Sequence, residues 1–286
     1  MSPTPRRAGG GEDGVSASRR WPGGVGSTAV LRVESAKLVR SSLVLTGLFA
    51  LLAAFFFVVF PAFAEEAELI EEAFPAFLVG LLGIEEIHTI EGFVGGYVFS
   101  VVWVLFAGIY FAYAAAGLIA EDVRARRMDL LLSNPVSRES VVLQKVAALW
   151  VPLVALNLGL LVVVYLGAAA IGETLDPVSL GVAHLLTVPY LLVCAGIGIV
   201  FSVSLDRVES AQAGALGLVF VLWLIEGLSE TAPEYEWVGT ASPSRYYDPS
   251  AILVREEYAL GDAAILLAAS VVLVGVAIAV FARRDI

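Results

Sequence analysis

The chain has few of the residues on which metal binding and redox chemistry usually depend. Its 286 residues include two histidines, two methionines and one cysteine. His88 and His184 stand far apart, and no cluster around them has the spacing of a zinc or transition-metal site. A single cysteine, Cys194, excludes an intrachain disulfide. We therefore predict that the chain itself holds neither a metal nor a cofactor.

Lysine is equally scarce, because the chain has only Lys37 and Lys145. A phosphate-binding P-loop needs a lysine followed by serine or threonine at the end of a glycine-rich loop. Neither lysine stands in such a loop, and the glycine-flanked nucleophile of a serine hydrolase is missing as well. We predict that this chain is not an enzyme and does not hydrolyse ATP.

Apolar residues are what the chain has in abundance. They make up 59% of the sequence, and the mean hydropathy is +0.87. Apolar runs recur at the length of about 20 residues that a helix needs to cross a bilayer. Lipid offers the backbone no hydrogen-bond partner, so each run is predicted to be helical. The predicted fold is all-α and polytopic, with six transmembrane helices near 42–63, 93–119, 141–171, 178–204, 210–228 and 261–282.

The basic residues predict the orientation of these helices. Segments on one side of the predicted membrane contain 15 of the 17 lysines and arginines, and only Arg245 and Arg255 fall on the other side. Lys and Arg concentrate on the cytoplasmic side of membrane proteins. Both termini are therefore predicted to be cytoplasmic, in a multi-pass protein of the plasma membrane.

Acidic residues outnumber basic ones and give a net charge of −11. They crowd the predicted outer loops 64–91 and 229–260, where a solvated, negatively charged surface is the plain interpretation. A strongly acidic surface also fits a high-salt organism such as a halophilic archaeon. We expect membrane lipid, and no nucleic acid, among the partners of the chain.

The rest of the layout follows from composition. Residues 1–28 are rich in Gly, Pro, Ser and Arg, which predicts a disordered cytoplasmic tail. Residues 29–40 are basic and weakly amphipathic, which predicts an entry helix along the inner headgroups. Within it, Glu34 and Lys37 have the i,i+3 spacing of a helical ion pair.

Segment 121–145, which reads EDVRARRMDLLLSNPVSRESVVLQK, lies between two apolar runs and carries five of the basic residues. We predict a short helix over 122–133, ended by Pro135, and Ser137 as the N-cap of span three. The apolar side of this helix is expected to enter the membrane interface and the charged side to face water: Met128, Leu130 and Leu131 on the first, Arg124, Arg127 and Asp129 on the second. A basic loop that only fixes the topology is the alternative.

Several residues inside the spans are candidates for lining a transport pathway. Five aromatic residues of span two follow a 4-3-4-3 spacing, which predicts one helix face: Phe99, Trp103, Phe106, Tyr110 and Tyr113. That face either contacts lipid or packs against another subunit, or it walls a cleft for an apolar solute. The polar candidates are Asn157, His184 and Glu226. We expect His184 to be a polar group hydrogen-bonded between helices or a functional ionisable group, and Glu226 to lie within reach of water near the outer end of span five.

Segment 121–145 resembles the ABC-2 family of ABC transporter permeases, including the subgroup related to the permease of nitrous-oxide-reductase maturation. The matching elements are an acidic pair (Glu121-Asp122), a leucine-rich helix (129–132), the turn Pro135-Val136-Ser137-Arg138, and Lys145. Residues 34–41 also look like the family's entry helix, and residues 281–285 like its C-terminal ending. The six-span layout extends the resemblance over 29–286.

The resemblance implies a permease subunit, with export as the direction of transport. A separate ATPase subunit would bind ATP and Mg²⁺, and the permease would pair with a second permease copy. Helix 122–133 would be the coupling helix that sits in a groove of the ATPase. The residues implied in coupling are Glu121, Arg124, Arg126, Arg127, Asp129, Leu130, Pro135, Ser137 and Arg138.

One departure from the family pattern lies at Arg126-Arg127, where the family usually has Gly-Thr. Two arginines favour a continuous helix over a hinge at this point. Two other functions stay open: a secondary transporter that uses His184 or Glu226, and a membrane assembly factor that transports nothing.

Overall fold

The computed structural model describes residues 28–82, 85–133, 136–231 and 233–284, and among them it contains helices and loops but no strand. Apart from Thr28, the predicted tail 1–28 lies outside the described residues. Six helices are long and apolar enough to cross a membrane, as predicted: span one Ala29–Glu65, span two Ile90–Arg124, span three Arg138–Ala170, span four Pro177–Ser204, span five Val208–Ser229 and span six Leu260–Arg283.

Span one differs from its prediction at its N-terminal end. The sequence between Ala29 and Thr46 contains neither glycine nor proline, and the structure forms one helix of 37 residues from Ala29 to Glu65. The predicted entry helix 29–40 is therefore not a separate element that precedes a turn. It is the beginning of the span-one helix itself, and it packs beside the start of span three.

Span four is the centre of the bundle. Of its most apolar window, 78% is buried, against 22% for spans one and six. It packs against spans two and six, and the approach to span two is very close. A Cβ atom added to Gly198 would lie 2.2 Å from the backbone oxygen of Ala112. The small residues Ala112, Ala115 and Ala116 of span two are completely buried at this contact, as small-residue interfaces allow.

Span two contains an irregular segment. Its helix begins at Ile90, continues as a π-helix over Val94–Ala107, and becomes α-helical again over Gly108–Arg124. The hydroxyl of Tyr190 in span four donates to the Val104 carbonyl oxygen at 2.6 Å. A Cβ atom added to Gly95 would come within 2.8 Å of Ser250 Oγ, so this segment also packs closely against the loop between spans five and six.

Span three has a break at Leu149, between the helices Arg138–Ala148 and Trp150–Ala170. Pro152 accounts for it, since its ring clashes with the carbonyl four residues earlier, that of Ala148. At the start of the span, Ser137 Oγ accepts the Ser140 N–H at 3.2 Å. The predicted N-cap is thus present.

Short helices fill the loops on the side of the bundle that carries most of the acids, which we call the acidic face. They are Ala67–Ala73, Ala76–Leu82, Pro233–Tyr235, Glu236–Gly239, Pro243–Tyr246 and Pro249–Val254. Arg255 joins the two loops, because its guanidinium contacts Glu85 and also lies 3.3 Å from Asp248. Tyr247 is buried and donates to the Ala183 carbonyl oxygen. The opposite end of the bundle, where spans one, three and five begin, is the basic face.

Candidate functional site

A charge cluster with a buried centre joins three spans at the basic face to the short helix Arg127–Leu132, which we call the coupling helix after its predicted role. It consists of Glu34 in span one, Asp122 at the end of span two, Arg127 in the coupling helix and Lys145 in span three. Lys145 Nζ lies 2.6 Å from Asp122 Oδ2 and 3.0 Å from Glu34 Oε1. Arg127 Nε lies 2.7 Å from Asp122 Oδ1. The coupling helix is therefore connected to spans one and three through a single carboxylate.

Burial makes this cluster different from a surface ion pair. The Lys145 side chain is only 1% exposed, and Asp122 is almost as well covered. A buried charge is tolerated only when opposite charges and hydrogen bonds replace its hydration. Lys145 satisfies this condition with two carboxylates, one on either side. Lys37 adds a half-exposed pair at the edge, with its Nζ 3.0 Å from Glu34 Oε1, so the predicted i,i+3 pair is present.

The coupling helix spans Arg127–Leu132 and not 122–133 as predicted, because residues 122–124 belong to span two and the backbone changes direction between the two helices. Span two ends at Arg124, and Arg126 has a φ of +53° and a ψ of +23°, in the left-handed region. The expectation of a continuous helix across Arg126-Arg127 is therefore wrong. The position needs the conformation that glycine adopts most readily, and here the neighbouring cluster, through Arg127, holds an arginine in it.

The remaining coupling candidates have different surroundings. Glu121, Arg126 and Asp129 are exposed at the basic face. Arg124 is exposed as well and pairs with Glu209 at the start of span five, at 2.5 Å. Met128, which belongs to the coupling helix itself, is completely buried. Pro135 and the side chain of Leu130 lie outside the described residues.

Arg138 faces the bundle rather than solvent. Its guanidinium donates to the carbonyl oxygens of Phe281, at 2.9 Å, and of Arg284, and it lies over the Phe281 ring. A cation at these positions stabilises the free carbonyls and the negative end of the span-six helix. The prediction that Arg138 takes part in coupling stays a prediction, but its observed contacts are internal.

Arg284 makes the same kind of contact with the backbone carbonyls at the end of span four. It donates to the Val203 carbonyl oxygen at 2.9 Å and pairs with Asp206 at 2.5 Å, which caps the end of span four. Together with the charge cluster, these two arginines connect the basic ends of the spans. A displacement of the coupling helix would thus be transmitted to several spans at once.

This combination of a short helix after span two with a six-span bundle can be compared with known proteins. A model of the ABC-2 family of transporter proteins matches residues 28–286. The chain belongs to the ABC-2 transporter family. Comparison with curated proteins gives no match.

The aromatic stripe of this ABC-2 chain does not form one face. Phe99 and Trp103 are completely buried, whereas Phe106 and Tyr113 are 42% and 45% exposed on the outside of the bundle. Tyr110 is partly buried and lines a groove together with Ser41 of span one. The reason is the π-helix, whose i→i+5 bonds put more residues in each turn. Steps of three and four residues then no longer return to the same side.

His184 and Asn157 are brought together inside the ABC-2 bundle. His184 Nδ1 lies 3.3 Å from Asn157 Oδ1, and Asn157 Nδ2 donates to the Leu153 carbonyl oxygen at 2.9 Å. The amide oxygen therefore faces the imidazole, and Nδ1 is the ring nitrogen that donates to it. Phe99 and Trp103 pack edge-on against this ring. The interpretation of His184 as a polar group hydrogen-bonded between helices fits these contacts.

Glu226 is buried, contrary to the expectation that water reaches it. Its Oε1 lies 3.5 Å from Arg245 Nη1, and Arg245 pairs more closely with Glu236 at 2.8 Å. The hydrogen bond with Glu236, together with the charge of Glu226, raises the pKa of Arg245. Gly239 allows this contact, since a Cβ there would lie 2.7 Å from Glu226 Oε2. The burial results from the loop between spans five and six folding over the end of span five.

Sequence reasoning missed the part of the site with the strongest interactions. Asp122, Lys145 and Glu34 were matched to the family pattern but were not chosen as site residues. A signal was present, because Lys145 lies next to an apolar run and an ionisable residue near membrane depth needs a partner. The sequence could not show which residue pairs with Lys145, since Glu34 is 111 residues away from it along the chain.

Proposed function

We propose that this ABC-2 chain is the membrane-spanning permease subunit of an ABC transporter that exports its substrate, driven by a separate ATPase subunit. The observation that carries the proposal is the coupling helix Arg127–Leu132, exposed in part at the basic face and joined to the bundle through the buried charge cluster. The absence of a P-loop from the sequence supports an ATPase on another polypeptide. We place the basic face in the cytoplasm and the chain in the plasma membrane, with a second permease copy beside it.

The proposed mechanism follows from the connections of the coupling helix. ATP-driven closure of two ATPase subunits would move the helix, and with it Arg127. Arg127 holds Asp122, and Asp122 holds Lys145, so spans two and three would move together. Glu34 adds span one to this unit, as does the Leu31 N–H, which donates to Gln144 Oε1 at 3.1 Å. A rigid group of three spans would then shift the population between inward-open and outward-open states.

Three further points are proposals that rest on the resemblance of segment 121–145 to the ABC-2 family. They are the export direction, the pairing with a second permease copy as a homodimer or heterodimer, and the likeness to the permeases of nitrous-oxide-reductase maturation. The halophilic origin suggested by the acidic composition also stays a prediction. Gradient-driven transport through His184 or Glu226 is less well supported. Both residues form contacts within the bundle, His184 with Asn157 and Glu226 with Arg245.

The test uses the full chain coexpressed with a candidate ABC ATPase subunit. Arg126 is the residue to change, because it is exposed, whereas Arg127 is half exposed but also pairs with buried Asp122, so its loss would disturb the cluster. We expect Arg126→Glu to abolish copurification of the ATPase, because the charge facing the partner is reversed. Arg126→Gly retains the left-handed backbone and removes only the charge, so it should weaken association less.

Arg207→Glu is the matched control, since Arg207 is an exposed cation of the basic face outside the coupling helix. It should leave association unchanged. Equal binding by wild type and Arg126→Glu would contradict the proposed contact. An assembly factor that transports nothing would bind partners without any ATP hydrolysis that depends on the permease, so the rate of ATP hydrolysis is measured alongside.

A further inference from the structure

An open groove of about 430 Å³ lies between spans one and two at the basic face. Its upper part is basic, with Lys37 and Arg40, and its lower part is aliphatic, with Leu45 and Leu48. The floor is closed by Tyr110 of span two, which lies beside Ser41. The groove faces the outside of the bundle.

Within the part of the chain that the structure describes, the charges of the groove are not neutralised. Among the described residues Arg40 forms no ion pair, and Lys37 has only Glu34, the same carboxylate that pairs with buried Lys145. The charge cluster and Lys37 together contain three cations and two carboxylates. With Arg40, this edge of the basic face carries a net positive charge that is open to a ligand.

The order of residues along span one matches the shape of a membrane lipid. Lys37, Arg40, Ser41, Leu45 and Leu48 share one side of the helix, at i,i+3 and i,i+4 steps. Over the eleven residue-to-residue steps from Lys37 to Leu48 the helix rises about 16 Å. Two cations at the membrane surface followed by a purely aliphatic wall at greater depth suit a phosphate with an acyl chain attached.

We propose that this groove binds an anionic phospholipid. Lys37 and Arg40 hold the phosphate, and one acyl chain lies along Leu45 and Leu48 against Tyr110. The proposal rests on the orientation given above, which places these residues in the cytoplasmic leaflet. The lipid would fill the gap between the span that begins with Glu34 and the span that leads into the coupling helix.

The experiment measures lipid retention by native mass spectrometry of the full chain. The chain is offered phosphatidylglycerol and phosphatidylcholine with identical acyl chains. We expect wild type to retain phosphatidylglycerol preferentially. Lys37→Ala/Arg40→Ala should lower this preference by about tenfold, since each cation near a membrane surface contributes roughly a factor of five and Lys37 is partly neutralised. Circular dichroism spectra establish that both proteins are folded.

Arg32→Ala/Arg283→Ala is the matched control, because it removes two exposed cations of the basic face outside the groove. It should keep the wild-type preference. An equal fall in both double variants would mean that general surface charge attracts the lipid, which overturns the site.

Two further arms separate the lipid from other occupants. A phosphatidylglycerol with a photoreactive acyl chain should crosslink to the segment that contains Leu45 and Leu48. Displacement by soluble glycerol phosphate at the same concentration would show that only the phosphate is bound, and a dimer that carries no lipid would show that a second copy covers the groove. Either result overturns the proposal. ATPase association, tested separately through Arg126, stands or fails independently of these outcomes.

Discussion

Lys145 is the residue on which the charge cluster depends. Its ammonium group separates two carboxylates that belong to different spans, Glu34 and Asp122, and it does so out of reach of water. Such a group contributes to stability in a way that exposed pairs of the same chain do not. Its removal leaves two buried negative charges without their shared partner.

We predict that Lys145→Met lowers the free energy of unfolding by about 3–5 kcal/mol, the usual effect of breaking a buried ion pair. The measurement is the unfolding transition of the purified chain in one detergent, followed by circular dichroism. Lys37→Met is the matched control. Lys37 is half exposed and shares the same Glu34, so its loss should change stability by only about 0–1 kcal/mol. Equal effects of the two substitutions would contradict the account of the cluster.

At this scale the sequence allowed some contacts to be predicted and hid others. The Glu34–Lys37 pair and the Ser137 cap were predictable because both depend on spacing within one helix. The left-handed backbone at Arg126 was not, because helix propensity favours arginine in a helix and the opposing influence comes from tertiary contacts. The partner of Lys145 was hidden for the same reason.

Among the elements, span two departs furthest from expectation. Its apolar run and its length identified it as a transmembrane helix, but hydropathy contains no information on whether the backbone forms α or π turns. The stripe of aromatic residues was therefore assigned to one face, whereas the π-helix directs Phe99 and Trp103 inwards and Phe106 outwards. The six spans themselves were predictable, because the membrane requires both length and apolarity.

The close contact between spans two and four gives a second prediction. A Cβ at position 198 would lie 2.2 Å from the Ala112 oxygen, whereas a Cβ at Gly217 meets nothing within 4 Å. We expect Gly198→Ala to destabilise the chain by about 1–3 kcal/mol, because the two helices must move apart. Gly217→Ala should stabilise it by roughly 0.5–1 kcal/mol through helix propensity. Thermal unfolding in detergent compares the pair, and a Gly198→Ala protein as stable as Gly217→Ala would refute the close packing.

On the scale of the whole molecule, the separation of charge between the two faces predicts the orientation. The chain's own Cys194 is buried, so an engineered thiol is the one that a polar reagent reaches. A membrane-impermeant maleimide added to intact cells should label Glu173→Cys, on the acidic face, and leave Ser133→Cys unlabelled until the membrane is opened. The reverse pattern would place the coupling helix outside and end the proposal of an ATPase partner in the cytoplasm.

The scarcity of lysine, together with the burial of Lys145, has a practical consequence. Only two side-chain amines exist in the sequence, and the folded bundle conceals one of them. An amine-reactive fluorophore will therefore modify a single lysine side chain, Lys37. Acylation of Lys37 removes one of the two cations of the groove between spans one and two, so amine labelling of the natural protein should lower its retention of phosphatidylglycerol without any mutation.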